Sequence, residues 1–275
     1  MMSFWPQLLT VALAASALMT LLWLVQRRTR DAGVVDAGWA GGLAAAAIFA
    51  GATGSGHVGV RLLIALMGGL WGLRLCWHIL SDRVLKGAED GRYAMWREKL
   101  GPRVNRAFFW FFQAQAFFVV FLCVPFLLAA GTTQAGPLPG GLTWMHAAGA
   151  ILFITSKAGE LIADQQLKAF KAKAENKGRT CRSGLWRFSR HPNYFCEWLI
   201  WVSFALVATG SVSGAGVRWL AWLAPTFMLF LILKVTGIPP TEKRALATRG
   251  EDYRRYQRET SAFVPWFPKP AANGG

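Results

Sequence analysis

The stretch Gly184–Trp198, GLWRFSRHPNYFCEW, sets two arginines, a histidine, an amide and a carboxylate where a long apolar run begins. On its N-terminal side the chain is crowded with cations: from Lys168 to Arg190 there are eight Lys and Arg against the single acid Glu175. On its C-terminal side Tyr194–Thr209 is apolar apart from Glu197 and a few hydroxyls. Such an exchange marks a helix leaving water for hydrocarbon, because Lys and Arg gather in the cytoplasmic loops beside a span.

The remainder repeats that alternation. Apolar segments lie at Phe4–Val25, Val34–Gly51, Val60–Leu80, Ala107–Ala130, Leu142–Ala163, Tyr194–Thr209 and Val217–Val235. Each is near the length at which an α-helix crosses roughly 30 Å of hydrocarbon. The basic loops Arg27–Arg30, Arg83 to Arg106, Lys168 to Arg190 and Lys243 to Arg258 follow the first, third, fifth and seventh segments. Ala52–Gly59, Gly131–Gly141 and Gly210–Gly216 carry no Lys or Arg. The two patterns together predict an all-α, seven-helix transmembrane bundle with its N-terminus outside and its C-terminus cytoplasmic. A secretory signal is not expected, since no Lys or Arg precedes the first apolar run and Arg27, Arg28 and Arg30 follow it.

The 275 residues are 54% hydrophobic and 16% charged, with a formal net charge of +16 and 14 Trp and 19 Phe spread through the apolar runs. A soluble nucleic-acid binder of that charge would carry more ionised residues and fewer apolar ones, so no nucleic-acid partner is expected. The four cysteines, Cys76, Cys123, Cys181 and Cys196, form no Cys-x-x-Cys pair, which supports neither a disulfide framework nor a metal site. The chain reads as a single integral-membrane domain over 1–275, with one group of helices in 1–130 and a second group of helices and cytoplasmic loops in 142–268. Ala271–Gly275 reads as a frayed tail. Gly68, Gly69 and Gly72 suit close helix packing, within the chain or between copies.

Ionisable residues in apolar segments are costly and so point to function. Lys157, Glu160, Asp164, Lys168 and Lys171 recur at spacings of three and four, along one face of the fifth helix. They form either internal ion pairs or the polar wall of a cavity. The cations Lys168, Lys171 and Arg179 suit a phosphate-rich ligand. Trp186, Arg190, His191 and Tyr194 suit an aromatic ring and a ribose. Asn193 and Glu197 lie one turn apart and either cap the helix or grip a carboxamide, which needs one donor and one acceptor. The literal match Gly54-Ser-Gly-His-Val-Gly59 to a dinucleotide fingerprint has no strand before it and is set aside.

With these residues assembled, the chain resembles the membrane-embedded steroid 5α-reductase-like family, in its bacterial domain-of-unknown-function branch. Gly184-Leu-Trp, Ser189-Arg-His-Pro-Asn-Tyr and Glu197-Trp carry the likeness, with Asp31 to Trp39, Leu73-Arg74-Leu75, Glu89 to Tyr93 and Tyr253 to Pro265. The resemblance implies NADPH held on the cytoplasmic side of a bacterial inner membrane by the last three helices. It assigns Asp164, Asn193 and Glu197 to the cofactor, with Lys171 where relatives place an Arg; Glu242, Tyr253 and Tyr256 are further candidates for binding it. It implies reduction of the C=C bond of a conjugated enone in an apolar substrate that enters from the bilayer. The Gln-Glu pair of the steroid enzymes has no counterpart here. Asp36, Arg74, His78 and Tyr93 are therefore the candidates for polarising the carbonyl, with Glu89 beside them. An integral-membrane methyltransferase using S-adenosylmethionine shares the Arg-His-Pro-x-Tyr element and remains an alternative, as does a lipid-binding protein without enzymatic activity.

Overall fold

A computed structural model describes residues 1–82, 84–86, 89–131, 135–211 and 215–269, with the backbone alone at 86, 215 and 216. Arg83, the Lys86 side chain, 132–134, 212–214 and the tail Ala271–Gly275 lie outside the described residues. The described chain is helical and contains no strand, only two isolated bridges. Its helices are α1 (Phe4–Thr29), α2 (Val34–Thr53), α3 (Val58–Asp82), α4 (Gly91–Leu100), α5 (Val104–Leu122), α6 (Val124–Ala130), α7 (Trp144–Ala172), α8 (Pro192–Ser211), α9 (Ala215–Phe230) and α10 (Ile238–Glu259).

Among the described residues, six helical segments are long and apolar enough to cross a membrane: α1, α2, α3, Gly91–Ala130, α8 and the segment beginning at Val217. The chain is thus an all-helical integral membrane protein. The fifth apolar segment of the sequence falls in α7, a helix of 29 residues whose Lys157, Glu160 and Asp164 lower its hydropathy. The fourth is not one straight helix. Pro125 supplies no N–H near the start of α6, and Cys123 lies between the two helices as the C-cap of α5 and the N-cap of α6. The last segment passes from α9 through a π-helical turn, Leu231–Val235, into α10, which bends at Gly250 (φ 51°). α10 carries more than half of its residues as polar or charged side chains and so lies outside the hydrocarbon, beyond the apolar part of its segment.

The contacts divide the chain into two compact units. The first comprises Met1–Ala148 and Phe204–Ala224, the second Gly149–Ser203 and Pro225–Gly275. In the first, α2 and α3 pack through small residues. A Cβ at Gly72 would stand 2.8 Å from the Ala40 carbonyl oxygen, and one at Gly68 2.5 Å from the Ala47 Cβ. These glycines therefore pack within the chain. Arg61 donates from Nε to the Gly51 carbonyl at 2.7 Å and from Nη2 to that of Ala52 at 2.8 Å, which satisfies carbonyls at the end of α2. Gly54 and Gly59 belong to the same turn, where a Cβ on Gly59 would stand 2.4 Å from the Gly140 oxygen. The literal dinucleotide match is thus a helix-to-helix turn. Trp71, Phe126 and Phe204 form the aromatic centre, with ring centroids 4.9 Å apart for Phe126 and Phe204 and 6.1 Å for Trp71 and Phe204.

The α2–α3 contact makes a direct prediction. Gly72→Val forces a methyl group against backbone and should cost about 2–3 kcal/mol, read as a lower melting temperature in detergent. Gly91→Ala, with nothing within 4 Å of the added carbon, should leave it nearly unchanged. Equal melting for both variants would refute packing by small residues.

Candidate functional site

In the second unit, the segment quoted at the outset forms a 3-10 turn, Gly184–Arg187, then the start of α8. Gly184 has φ 59°, and a Cβ there would meet the Gln166 side chain at 2.4 Å, so two separate constraints demand glycine. Gln166 accepts from the Leu185 N–H at 2.8 Å and fixes the turn to α7. Trp186 is buried, and its Nε1 donates to the Ala163 carbonyl at 2.9 Å. The Tyr256 hydroxyl of α10 donates to the carbonyls of Trp186 and, at 3.1 Å, Ser189.

Glu242 is the centre of this arrangement. Its Oε1 accepts from Arg190 Nε at 2.7 Å and from the Tyr253 hydroxyl at 3.3 Å, and lies 3.2 Å from His191 Nε2. Its Oε2 accepts from Gln257 Nε2 at 2.7 Å. Arg190 also donates from Nη1 to the carbonyls of Gln257 and Thr260, at 3.0 and 2.7 Å. Burial raises the Glu242 pKa, but the hydrogen bonds from His191 and Arg190 outweigh it and hold the carboxyl at about 2, below its ordinary 4.5. Six of the residues singled out in the sequence, Trp186, Arg190, His191, Glu242, Tyr253 and Tyr256, thus join in one network. Gln166, Ser189 and Gln257 complete it. Nothing in the spacing singles out these three, because a side-chain amide or hydroxyl in a polar loop has no distinctive pattern.

Asp164 and Asn193 also come together, with Asn193 Nδ2 donating to Asp164 Oδ1 at 3.1 Å. Asn193 Oδ1 accepts from its neighbour's N–H, that of Tyr194, at 3.0 Å. The Tyr194 ring stacks on His191 at 5.3 Å, and its hydroxyl lies 3.1 Å from that of Thr241. Glu197, one turn along α8, accepts from Trp201 Nε1 at 3.3 Å. The charged face of α7 divides in two. Lys157 pairs with Glu160 at 2.5 Å, both nearly buried. Lys168 and Lys171 are exposed and, like Lys173, Lys177, Arg179 and Arg187, have no carboxylate within 4.0 Å among the described residues.

In the first unit, Asp36 and Tyr93 meet. The Tyr93 hydroxyl, buried, donates to Asp36 Oδ1 at 2.9 Å, and Arg92 Nη2 lies 3.0 Å from Asp36 Oδ2. Asp90 caps α4, accepting from the Arg92 N–H at 3.0 Å. Glu89 accepts from Arg97 and from the Ala32 N–H, the latter at 2.9 Å, and Arg97 also donates to Gln26. Arg74 and His78 are exposed on α3, and His78 Nδ1 lies 3.2 Å from Asp82 Oδ2.

These features define an integral membrane protein with a polar, cation-rich loop region and a second, partly buried polar cluster. The chain belongs to the family described as Protein of unknown function (DUF1295), which matches residues 22–260. It is also similar to an uncharacterized protein of Schizosaccharomyces pombe, 28% identical over 228 residues, which cover 74% of this chain and 63% of the relative. The chain therefore spans less than two thirds of that relative's length. No solved structure matches it.

The Glu242 network carries a pH signature. A depressed carboxyl pKa contributes stability that is complete above the unfolded value near 4.5 and is lost as pH falls through about 2. Glu242→Gln should lower stability at neutral pH by about 3 kcal/mol, since it leaves Arg190 without its counter-charge, and should flatten the acid limb of the melting curve. An unchanged acid limb would show that Glu242 titrates normally.

Proposed function

We propose that the chain is an NADPH-dependent oxidoreductase that reduces the C=C bond of a conjugated enone in an apolar, steroid-like or lipid substrate. The observation that carries this reading is the Asn193–Asp164 pair beside Lys168, Lys171 and Arg179, which have no carboxylate within 4.0 Å among the described residues. The donor set fits a phosphorylated nicotinamide carrier. Lys168, Lys171 and Arg179 would meet its phosphates, and Asn193 with Asp164 would supply the donor and acceptor that a carboxamide needs. Tyr194 and Glu197 would complete that side. Trp186, Arg190, His191, Glu242, Tyr253 and Tyr256, whose polar atoms are engaged with one another, would hold the loop in shape. Such a carrier supplies a hydride when bound.

The chain's own residues would do the rest. Negative charge that grows on an enone oxygen needs a fixed donor, and the candidates are Arg74, His78 and the Tyr93–Asp36 pair, whose one phenolic proton would have to turn from Asp36 to the substrate. Apolar helix faces would exclude water and admit the substrate laterally from lipid. In this reading α7 is the seventh crossing, made tolerable by the nearly neutral Lys157–Glu160 pair. The N-terminus is then outside, and the basic loops lie in the cytoplasm beneath a bacterial inner membrane.

Titration of the detergent-purified protein tests the proposal. NADPH should raise the melting temperature, and Asn193→Ala and Asp164→Ala should each weaken that binding about tenfold without altering the melting temperature of the unliganded protein. Oxidation of NADPH should appear with a panel of apolar conjugated enones. Stabilisation by S-adenosylmethionine alone, with no response to NADPH, would replace this reading with the methyltransferase.

A further inference from the structure

The second unit contains a cleft of about 390 Å³ that none of the assignments above uses. Arg182, Arg187, Arg255 and Lys269 line it, with Glu259 the one acid and Thr260 beside it. Four cations against one carboxylate give a concave surface a net positive charge, and its walls are fixed by the chain itself. The Lys269 N–H donates to the Glu259 carbonyl at 2.8 Å, the Trp266 N–H to that of Phe188 at 2.9 Å, and the Arg190 N–H to that of Ser261 at 2.8 Å. These bonds strap the segment after α10 against the loop that carries Arg187.

The cations inside fall into two kinds. Arg182 is held by the acids, with Nη2 on Asp252 Oδ1 at 2.9 Å and Nη1 on Glu259 Oε2 at 3.3 Å. Arg255 gives its Nε to Glu259 Oε1 at 2.7 Å, which occupies one edge of its guanidinium and leaves Nη1 and Nη2 without a partner among the described residues. Arg187 and Lys269 make no ion pair among those residues. Glu259 thus orients two guanidinium groups, and the unspent donors belong to Arg255, Arg187 and Lys269. Planar, pre-oriented guanidinium donors joined by a Lys point charge match the several oxygens of a phosphate group better than a single carboxylate.

We infer that this cleft binds a terminal phosphate monoester, from either a nucleotide or an anionic lipid headgroup. The inference does not depend on the reductase reading, since the cleft is built from residues that play no part in it. The test compares the wild type with Arg187→Ser/Lys269→Ser, which removes two cations that hold no partner, and with Lys173→Ser/Lys177→Ser as a control of equal charge change. The probes are adenosine 2′,5′-bisphosphate against 5′-AMP, and nanodiscs of phosphatidylcholine with and without phosphatidate. A nucleotide source is expected to show bisphosphate bound about tenfold more weakly by the cleft variant alone. A lipid source is expected to show the phosphatidate-dependent rise in melting temperature lost by that variant alone. If neither probe distinguishes wild type from the cleft variant, or the control loses as much, the cleft is not a phosphate site. If the double variant fails to fold, Arg187→Lys serves instead, keeping charge and losing the fork, with a severalfold loss expected and no loss overturning the assignment. NADPH bound normally by the cleft variant, with the enone still reduced and neither probe affected, would end this inference and leave the reductase standing. Bisphosphate bound through the cleft with no hydride transfer to any enone would do the reverse.

Discussion

One carboxylate holds the C-terminal unit in register. Glu242 on α10 stands within hydrogen-bond distance of Arg190, His191, Tyr253 and Gln257, so a single charge connects the loop before α8 to both halves of α10 on either side of its bend. A buried charge is tolerated only when its partners are complete, and here the partners come from both segments that must be brought together. The fold in this region follows from that requirement. Trp186 can be buried because the Ala163 carbonyl accepts from its N–H, and Tyr256 can be buried because two loop carbonyls accept from its hydroxyl.

The motif around Arg190 and His191 therefore has a consequence different from the one its chemistry first suggests. Cations beside aromatic rings invite a phosphate and a base, yet these two point their nitrogens at Glu242. What they produce is a braced loop just before Asn193, which donates to Asp164. Precision at a binding surface comes from side chains locked behind it. On α7 and in the loop after it, Lys168, Lys171, Lys173, Lys177, Arg179 and Arg187 are exposed and have no carboxylate within 4.0 Å among the described residues. The basic excess is thus divided between a fraction paired within a frame and an exposed fraction, a division that net charge alone could not reveal.

How much of this was legible depends on the range of the interaction. Helices with a continuous apolar face, α1, α2, α3 and α8, are read within a few residues, because hydropathy is a local property. The break at Cys123 was missed although Pro125 is visible, since an apolar composition runs through it unchanged. On α7 the Lys157–Glu160 pair follows from i,i+3 spacing, whereas the Asp164–Asn193 pair joins residues 29 apart and has no local signature. Asp36 and Tyr93, 57 apart, were singled out separately as an acid and a phenol, and only packing shows that one accepts the other's proton. The need for glycine at 184 comes from its backbone angle and from the Gln166 side chain beside it, neither of which the sequence states.

The two units meet the same demand by opposite means. Where α2 meets α3, side chains are removed until backbones touch, and Gly72 lies so near the Ala40 carbonyl that no methyl group fits. In lipid, close approach of this kind replaces the missing hydrophobic drive with dispersion and weak polar contacts. In the C-terminal unit, near water, large polar and aromatic side chains do the joining through directed hydrogen bonds, as Glu242 and Tyr256 do. The first solution tolerates no added volume and the second tolerates no lost partner. A substitution that enlarges is therefore most harmful among the glycines of α2 and α3, and one that deletes a donor or acceptor is most harmful between Trp186 and Gln257. The exposed cations on α7 and in the loop that follows belong to neither set, which leaves their charge free to serve a ligand rather than the fold.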